Sequence, residues 1–156
     1  MKELYDYRAK LIEKLSSAAK SFREACLAAK DAFAPLESSG WNTHQIAAHT
    51  RDVDQFAYGL RARRTASEEN PEFENFDGEK YAVEHYDPNE PLGDILDGFV
   101  ANTESLAELL RGLPMEAWAR ESRHATMGSG FTLQTWVEKS LAHIEEHTKA
   151  VNRGAG

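Results

Sequence analysis

The first thirty residues carry apolar side chains at alternating spacings of four and three residues. The positions are Leu11, Leu15, Ala18, Phe22, Ala25 and Ala29. This spacing places them on one face of an α-helix, as in a helix that packs against a bundle core. Because Pro35 disfavours helix at the residue before it, we predict that the first helix ends near Phe33.

A second helix is marked by its first residues. Asn42 suits the N-cap position, and Gln45 follows three residues later, as in a capping box. Trp41 and Ile46 occupy the two positions that form a hydrophobic staple across a helix start. We therefore predict that this helix begins directly after Asn42.

Two more helices follow from the same signals. One begins after Pro91, ends at Gly112 and buries Leu92, Ile95, Leu96, Phe99, Leu106 and Leu109. The last helix has Thr132 as its N-cap, with Phe131 and Trp136 in the staple positions after a glycine-rich turn. Four helices without a convincing strand predict an all-α four-helix bundle.

A long connection, from about Ala66 to Asn89, joins the second and third predicted helices. It is far longer than a turn between neighbours requires, and such loops are often functional or contain short structure. Its aromatic residues either close one end of the bundle or form a lid over a substrate; they are Phe73, Phe76, Tyr81 and Tyr86. The connection can span the bundle, so that the second and third helices run parallel and the last helix is antiparallel to the second.

Composition and charge predict one domain over residues 1–156, located in the cytoplasm. A chain of 156 residues that is 41% hydrophobic can bury one core but not two. Its net charge of −8 opposes phosphate backbones and anionic lipid, so we expect neither a nucleic-acid nor a membrane partner. Cys26 is the single cysteine, the first residues lack a signal peptide's apolar core, and no run of 18 apolar residues occurs.

Helical geometry predicts which way each histidine of the second helix faces. At about 100° per residue, His49 lies within about 80° of the apolar stripe, whereas His44 lies about 140° away. The stripe comprises Ile46, Val53, Phe56, Ala57 and Leu60. We therefore expect His49 to point inward and His44 outward. Arg61, Arg63 and Arg64, at the end of this helix, are interpreted as cations that oppose the helix dipole.

The last helix carries a histidine pair, His143 and His147, four residues apart. The two side chains differ by about 40° around the helix and lie in or beside its apolar stripe. Buried imidazoles are costly unless both are satisfied, and a divalent metal satisfies them in their neutral form. With His49 from the facing helix, these residues predict a metal site, with zinc as the first choice and nickel or iron as alternatives.

Several polar residues near the predicted site have alternative roles. Glu146 completes an H-x-x-E-H pattern of zinc proteases, but it lies on the solvated side of the helix. Glu146 and Asp52 are candidates for a group that orients a histidine tautomer. His124 is interpreted as a loop histidine with a structural hydrogen bond, with a place at the site mouth as the alternative. His85 is expected at the surface, and Lys139 is either a surface lysine or a contact for an anionic substrate.

Three stretches together resemble the DinB/YfiT-like superfamily of metalloenzymes. They are GWNT at 40–43 with AAH at 47–49, RHATMG at 123–128, and TL at 132–133 with LAH at 141–143 and His147. The resemblance implies a four-helix bundle with an up-down-down-up course and a divalent ion held by His49, His143 and His147. It also implies homodimers, and it does not imply DNA binding.

Two functional hypotheses remain open at this point. The first is a metal-dependent enzyme, a thiol transferase or hydrolase, whose ion activates a low-molecular-weight thiol or water for attack on a small-molecule substrate. The second is a non-catalytic, stress-associated bundle whose metal is structural or vestigial. Three histidines leave open positions on the ion, which favours the first hypothesis.

Overall fold

The computed structural model describes residues 1–37 and 39–155, and most of this chain is helical. The helices are α1 (Lys2–Leu27), α2 (Thr43–Val53), α3 (Gly59–Ser67), α4 (Gly78–His85), α5 (Leu92–Arg111) and α6 (Leu133–Ala155). A π-helical turn, Asp54–Tyr58, joins α2 to α3, so these two helices form one continuous rod. The rod, α1, α5 and α6 are the four members of the predicted bundle, which is confirmed.

The helix starts follow the sequence signals. The Gln45 amide donates to the Asn42 side chain over 2.7 Å, and the Asn42 amide donates to the Gln45 side chain over 2.8 Å. This is the predicted capping box. At the start of α6, the Thr135 amide donates to the Thr132 hydroxyl over 3.2 Å. Both predicted N-caps are therefore confirmed.

The end of α1 and the apolar stripe of α5 differ from the prediction. Helix α1 ends at Leu27 rather than near Phe33, because the Asp31 carboxylate accepts a hydrogen bond from the Phe33 amide and forms a local turn instead. In α5, Leu109 is 41% exposed, while its neighbour Leu110 is buried. At its C-terminal end the apolar stripe of α5 therefore contains Leu110 in place of the predicted Leu109.

A small sheet, which the sequence did not indicate, lies at one end of the bundle. Its strands are β1 (Glu72–Phe73), β2 (Glu121–His124) and β3 (Gly128–Thr132), in the order β1-β2-β3. Strand β1 is parallel to β2, and β3 is antiparallel to β2. The Trp136 indole donates to the Ser122 hydroxyl over 2.7 Å, which attaches the hairpin to α6. The prediction of no strand was therefore wrong. The strands were missed because they are short and lack an alternating apolar pattern.

The π-helical turn changes which residues face the core. The Gly59 amide donates to the Asp54 carbonyl five residues earlier, so this turn contains one residue more than an α-helical turn. Beyond it the buried face is displaced by one residue. Phe56 and Leu60, predicted to point inward, are 36% and 38% exposed, whereas Arg61 is buried; Ala57, also predicted to point inward, is buried as expected. Arg61, interpreted as a cation at the end of the helix that opposes its dipole, is instead buried in the first turn of α3, so this interpretation is also wrong.

Gly59 is required at this turn by the close approach of the backbone. A Cβ atom there would lie 2.6 Å from the Asp54 carbonyl oxygen and 2.9 Å from its carboxylate. No side chain fits at such distances.

The crossover between the rod and α5 contains β1 and α4, and α4 packs against α2. Asp77 caps α4, since its carboxylate accepts a hydrogen bond from the Lys80 amide. Among residues 1–37 and 39–155, no helix has the length and apolar character needed to cross a membrane.

Candidate metal centre

The structure brings the three predicted histidines together inside the bundle. His49 comes from α2, and His143 and His147 come from consecutive turns of α6. One nitrogen from each lies within 4.8 Å of the corresponding nitrogens of the other two. The Nε2 atoms of His143 and His147 are 2.9 Å apart, and the ring of His49 is centred 5.7 Å and 5.2 Å from theirs.

Burial keeps these imidazoles neutral. Desolvation, followed by the neighbouring histidines, lowers the pKa of His143 to about 3. Desolvation and the charge of a protonated His49 lower the pKa of His147 to about 4. Desolvation also lowers the pKa of His49, although the Gly78 backbone favours its protonated form. At neutral pH each ring therefore offers an unprotonated nitrogen, as metal ligation requires.

The donor set fits a divalent ion. Two nitrogens bound to one zinc ion at about 2.0–2.1 Å lie about 3.4 Å apart in a tetrahedral site, a separation that small shifts of these rings would reach. The His49 Nδ1 atom is buried and makes no hydrogen bond of normal geometry in the described chain. This atom lies beside Gly78 of α4, whose backbone favours the protonated form of the ring, so it is the set of three neutral nitrogen donors that fits the ion.

Two aromatic side chains and one glycine position the histidines. The Trp41 ring is 5.2 Å from the His49 ring, and the Tyr58 ring is 5.4 Å from the His143 ring. A Cβ at Gly78 would lie 2.8 Å from His49 Cε1, so only glycine allows α4 to cover this ring. Sequence reasoning missed Tyr58 because the π-helical turn, which has no clear sequence signal, displaces it relative to an ideal helix.

A cavity of about 460 Å³ opens over His49 and His147. Its wall includes two carboxylates, Glu79 and Glu146, and one cation, Arg153. Glu146 is exposed, as predicted for the solvated side of the helix, yet it lies at the mouth of this cavity. The cavity is large enough for a small molecule beside the cluster.

The other candidate residues have separate environments. Asp52 makes an ion pair with Arg51, 3.1 Å between Oδ1 and Nε, and its charge partly offsets the lowering of the His49 pKa by desolvation, without a hydrogen bond to His49. His124 is buried in β2, where its Nδ1 accepts hydrogen bonds from the backbone amides of Thr126 and Met127. These hydrogen bonds are the structural role expected for it. His85 is exposed, and Lys139 is half-buried.

His44 contradicts the prediction that it faces outward. It is only 1% exposed, because the crossover and the Phe33 ring, stacked 4.7 Å from the His44 ring, cover this side of α2. Its Nδ1 lies 2.6 Å from the Tyr86 hydroxyl and its Nε2 lies 2.7 Å from the Glu90 carbonyl oxygen. The neutral ring with its proton on Nε2 satisfies both groups, so His44 attaches the end of the crossover to α2.

Comparison with known proteins identifies the fold. The chain is similar in structure to YfiT from Bacillus subtilis, described as a probable metal-dependent hydrolase with an unusual four-helix bundle topology. The TM-score is 0.74, the sequences are 22% identical, and the match covers 91% of this chain and 86% of that chain. No protein-family model and no curated protein matches this sequence. The shared fold confirms the predicted resemblance to YfiT-like proteins and the up-down-down-up course of the bundle.

Proposed function

We propose that this chain, which has the fold of YfiT, is a metal-dependent enzyme whose divalent ion is held by His49, His143 and His147. The observation that carries the proposal is the convergence of three neutral imidazole nitrogens within 4.8 Å beside an open cavity. The description of YfiT as a probable metal-dependent hydrolase supports it. Zinc is the expected metal, with nickel or iron as alternatives.

A divalent ion held by these three neutral ligands would keep its full double charge and would supply the means to activate water or a thiol at neutral pH. The proposed reaction class is therefore hydrolysis or transfer of a low-molecular-weight thiol to a small electrophilic substrate. The cavity over His49 and His147 is the proposed substrate site.

The chain's own residues divide the remaining tasks. Trp41 and Tyr58 pack against two of the histidines and restrict their rotation. Glu79 and Glu146 are the carboxylates of the cavity wall, and we propose that Glu146, beside His147 in sequence, accepts a proton from the nucleophile. We further propose that the protein acts in the cytoplasm as a homodimer, as the family resemblance implies.

Metal analysis combined with activity tests this proposal. Protein purified without chelator is expected to contain about one ion per chain, and the ion is lost in His49→Ala and His143→Ala. His85→Ala, which removes an exposed histidine from α4, is the matched control and should retain the ion.

Activity is then screened on the metal-loaded protein, with activated esters and amides for hydrolysis and with a thiol plus an electrophile for transfer. The proposal requires turnover that disappears in both ligand variants. Turnover that persists without metal contradicts it, and stoichiometric metal without any turnover supports the non-catalytic bundle instead.

A further inference from the structure

A second cavity, of about 350 Å³, lies outside the histidine cluster, between α3, β1 and α4. Three of its wall residues, Phe56, Phe76 and Tyr81, have ring centres 5.0–5.7 Å apart. We call it the aromatic cavity. Neither the three histidines nor any other residue that lines the cavity over them lines this one.

Arg61 also lines the aromatic cavity, and it is only 6% exposed. Its guanidinium lies 4.9 Å from the centre of the Trp136 ring and donates one hydrogen bond, to the Glu74 carbonyl, over 3.1 Å. In the described part of the chain no carboxylate lies within ion-pair distance of it. A guanidinium has five donor N–H groups, and in the described chain no Arg61 nitrogen is both enclosed and without a partner, so those that make no hydrogen bond remain accessible to solvent or a ligand.

The other arginines near this region and elsewhere in the core differ from Arg61. Arg64, three residues later, also lines this cavity, but it is half-buried and its charge is paired with Glu68 over 2.7 Å. Arg8 is buried, but it donates hydrogen bonds to both Gln134 and the backbone. Of the two buried arginines in the described chain, Arg61 therefore makes fewer hydrogen bonds to the protein.

A buried charge without a counter-ion is energetically costly, and buried charges in proteins are normally paired. Burial also lowers the pKa of Arg61, although a guanidinium stays protonated at any physiological pH. The π-helical turn is what places this cation inside, since it displaces the buried face from Leu60 to Arg61. A permanent cation at the wall of an apolar cavity is suited to an anionic ligand.

We propose that the aromatic cavity binds a small apolar monocarboxylate, with its carboxylate on the Arg61 guanidinium and its apolar body against Phe56, Phe76 and Tyr81. A guanidinium binds a carboxylate through two parallel hydrogen bonds. Glu72 and Glu74 also line the cavity, which disfavours a dianion such as a phosphate ester. This site is independent of the proposed metal-dependent reaction.

Binding of phenylacetate, measured by titration calorimetry, tests the proposal. Phenylacetamide is the uncharged probe of the same shape and is expected to bind about tenfold more weakly or not at all. Phenyltrimethylammonium tests the alternative that the three rings bind a cation. The titrations use the full chain treated with chelator, so that a carboxylate cannot bind through a metal at the histidines.

Two variants and one control locate the site. Arg61→Met is expected to weaken phenylacetate binding by about tenfold or more. Leu60→Glu, at a partly exposed wall position, adds a repelling charge without disturbing the core and is expected to have a similar effect. Arg23→Gln removes a cation from α1, outside the cavity, and should change the affinity by less than about twofold.

The proposal is overturned if phenylacetamide binds as well as phenylacetate, if the cationic probe binds in preference, or if Leu60→Glu leaves the affinity unchanged. It is equally overturned if chelator-treated protein does not bind phenylacetate. Since the assay contains no metal, a failed metal-dependent reaction has no bearing on this result.

Discussion

Asp54 is a buried acid whose removal should stabilise the protein at neutral pH. It lies in the π-helical turn and is 3% exposed. Desolvation raises its pKa from 3.8 to about 6, against a partial lowering by Arg63. In the described chain no side chain donates a hydrogen bond to its carboxylate. The folded state therefore stores an unfavourable buried charge whenever the carboxylate is ionised.

The sign and size of the effect follow from linkage. Between pH 4 and pH 6 the folded state binds more protons at Asp54 than the unfolded state, so this group makes the free energy of unfolding fall as pH rises. The difference between 3.8 and about 6 corresponds to about 3 kcal/mol, fully present above pH 6. Asp54→Asn keeps the shape but removes the charge. Because a buried amide also loses solvation, we expect a gain of about 1–3 kcal/mol at pH 8.

Urea unfolding of wild type and Asp54→Asn at pH 4 and pH 8, with chelator present, measures this gain. The lowered pKa values of His143 and His147 make both proteins more stable as pH rises, so the difference between the two proteins isolates Asp54. That difference should be small at pH 4 and large at pH 8. Asp6→Asn, at an exposed position on α1, is the control and should stay within about 0.5 kcal/mol of wild type. Equal differences at both pH values, or a less stable Asp54→Asn at pH 8, would refute the reasoning.

Three further predictions concern the candidate site and its surroundings. Gly78→Ala places a Cβ 2.8 Å from the His49 ring and should weaken metal binding by about tenfold or more, measured by competition with a chelating dye. Gly98→Ala is the control, because a Cβ there meets open space. It should leave metal binding unchanged and stabilise the fold by about 0.5–1 kcal/mol. His44→Leu removes the hydrogen bonds of the His44 ring to the Tyr86 hydroxyl and the Glu90 carbonyl, and it should lower the free energy of unfolding by about 1–3 kcal/mol in urea; a loss below about 0.5 kcal/mol would contradict this. Chelator should lower the melting temperature of metal-loaded wild type but not of His49→Ala; an equal drop in both would place the stabilising ion elsewhere.

Features that depend on local chemistry could be predicted from the sequence. Asn42 and Thr132 cap their helices through side-chain hydrogen bonds that any chain with these residues can form. The convergence of the three histidines could also be predicted from the sequence. Two of them lie on one regular helix, and His49 precedes the π-helical turn, in a segment with regular α-helical periodicity.

Features that depend on tertiary contacts were not predictable in this way. His44 is buried by the crossover, a segment 42 or more residues away along the chain, so helical periodicity alone cannot place it. Arg61 and Tyr58 lie at or beyond an irregular turn that displaces their direction by about one residue. The predicted inward positions Phe56 and Leu60 failed for the same reason.

A crystal structure of protein grown with zinc, with anomalous scattering recorded above and below the zinc absorption edge, tests the central claim most directly. The account predicts one anomalous peak bound to nitrogens of His49, His143 and His147 at about 2.0–2.1 Å, with at least one position free of protein ligands. A peak elsewhere, or a fourth side chain closing the coordination sphere, would contradict the claim that these residues form an open metal centre.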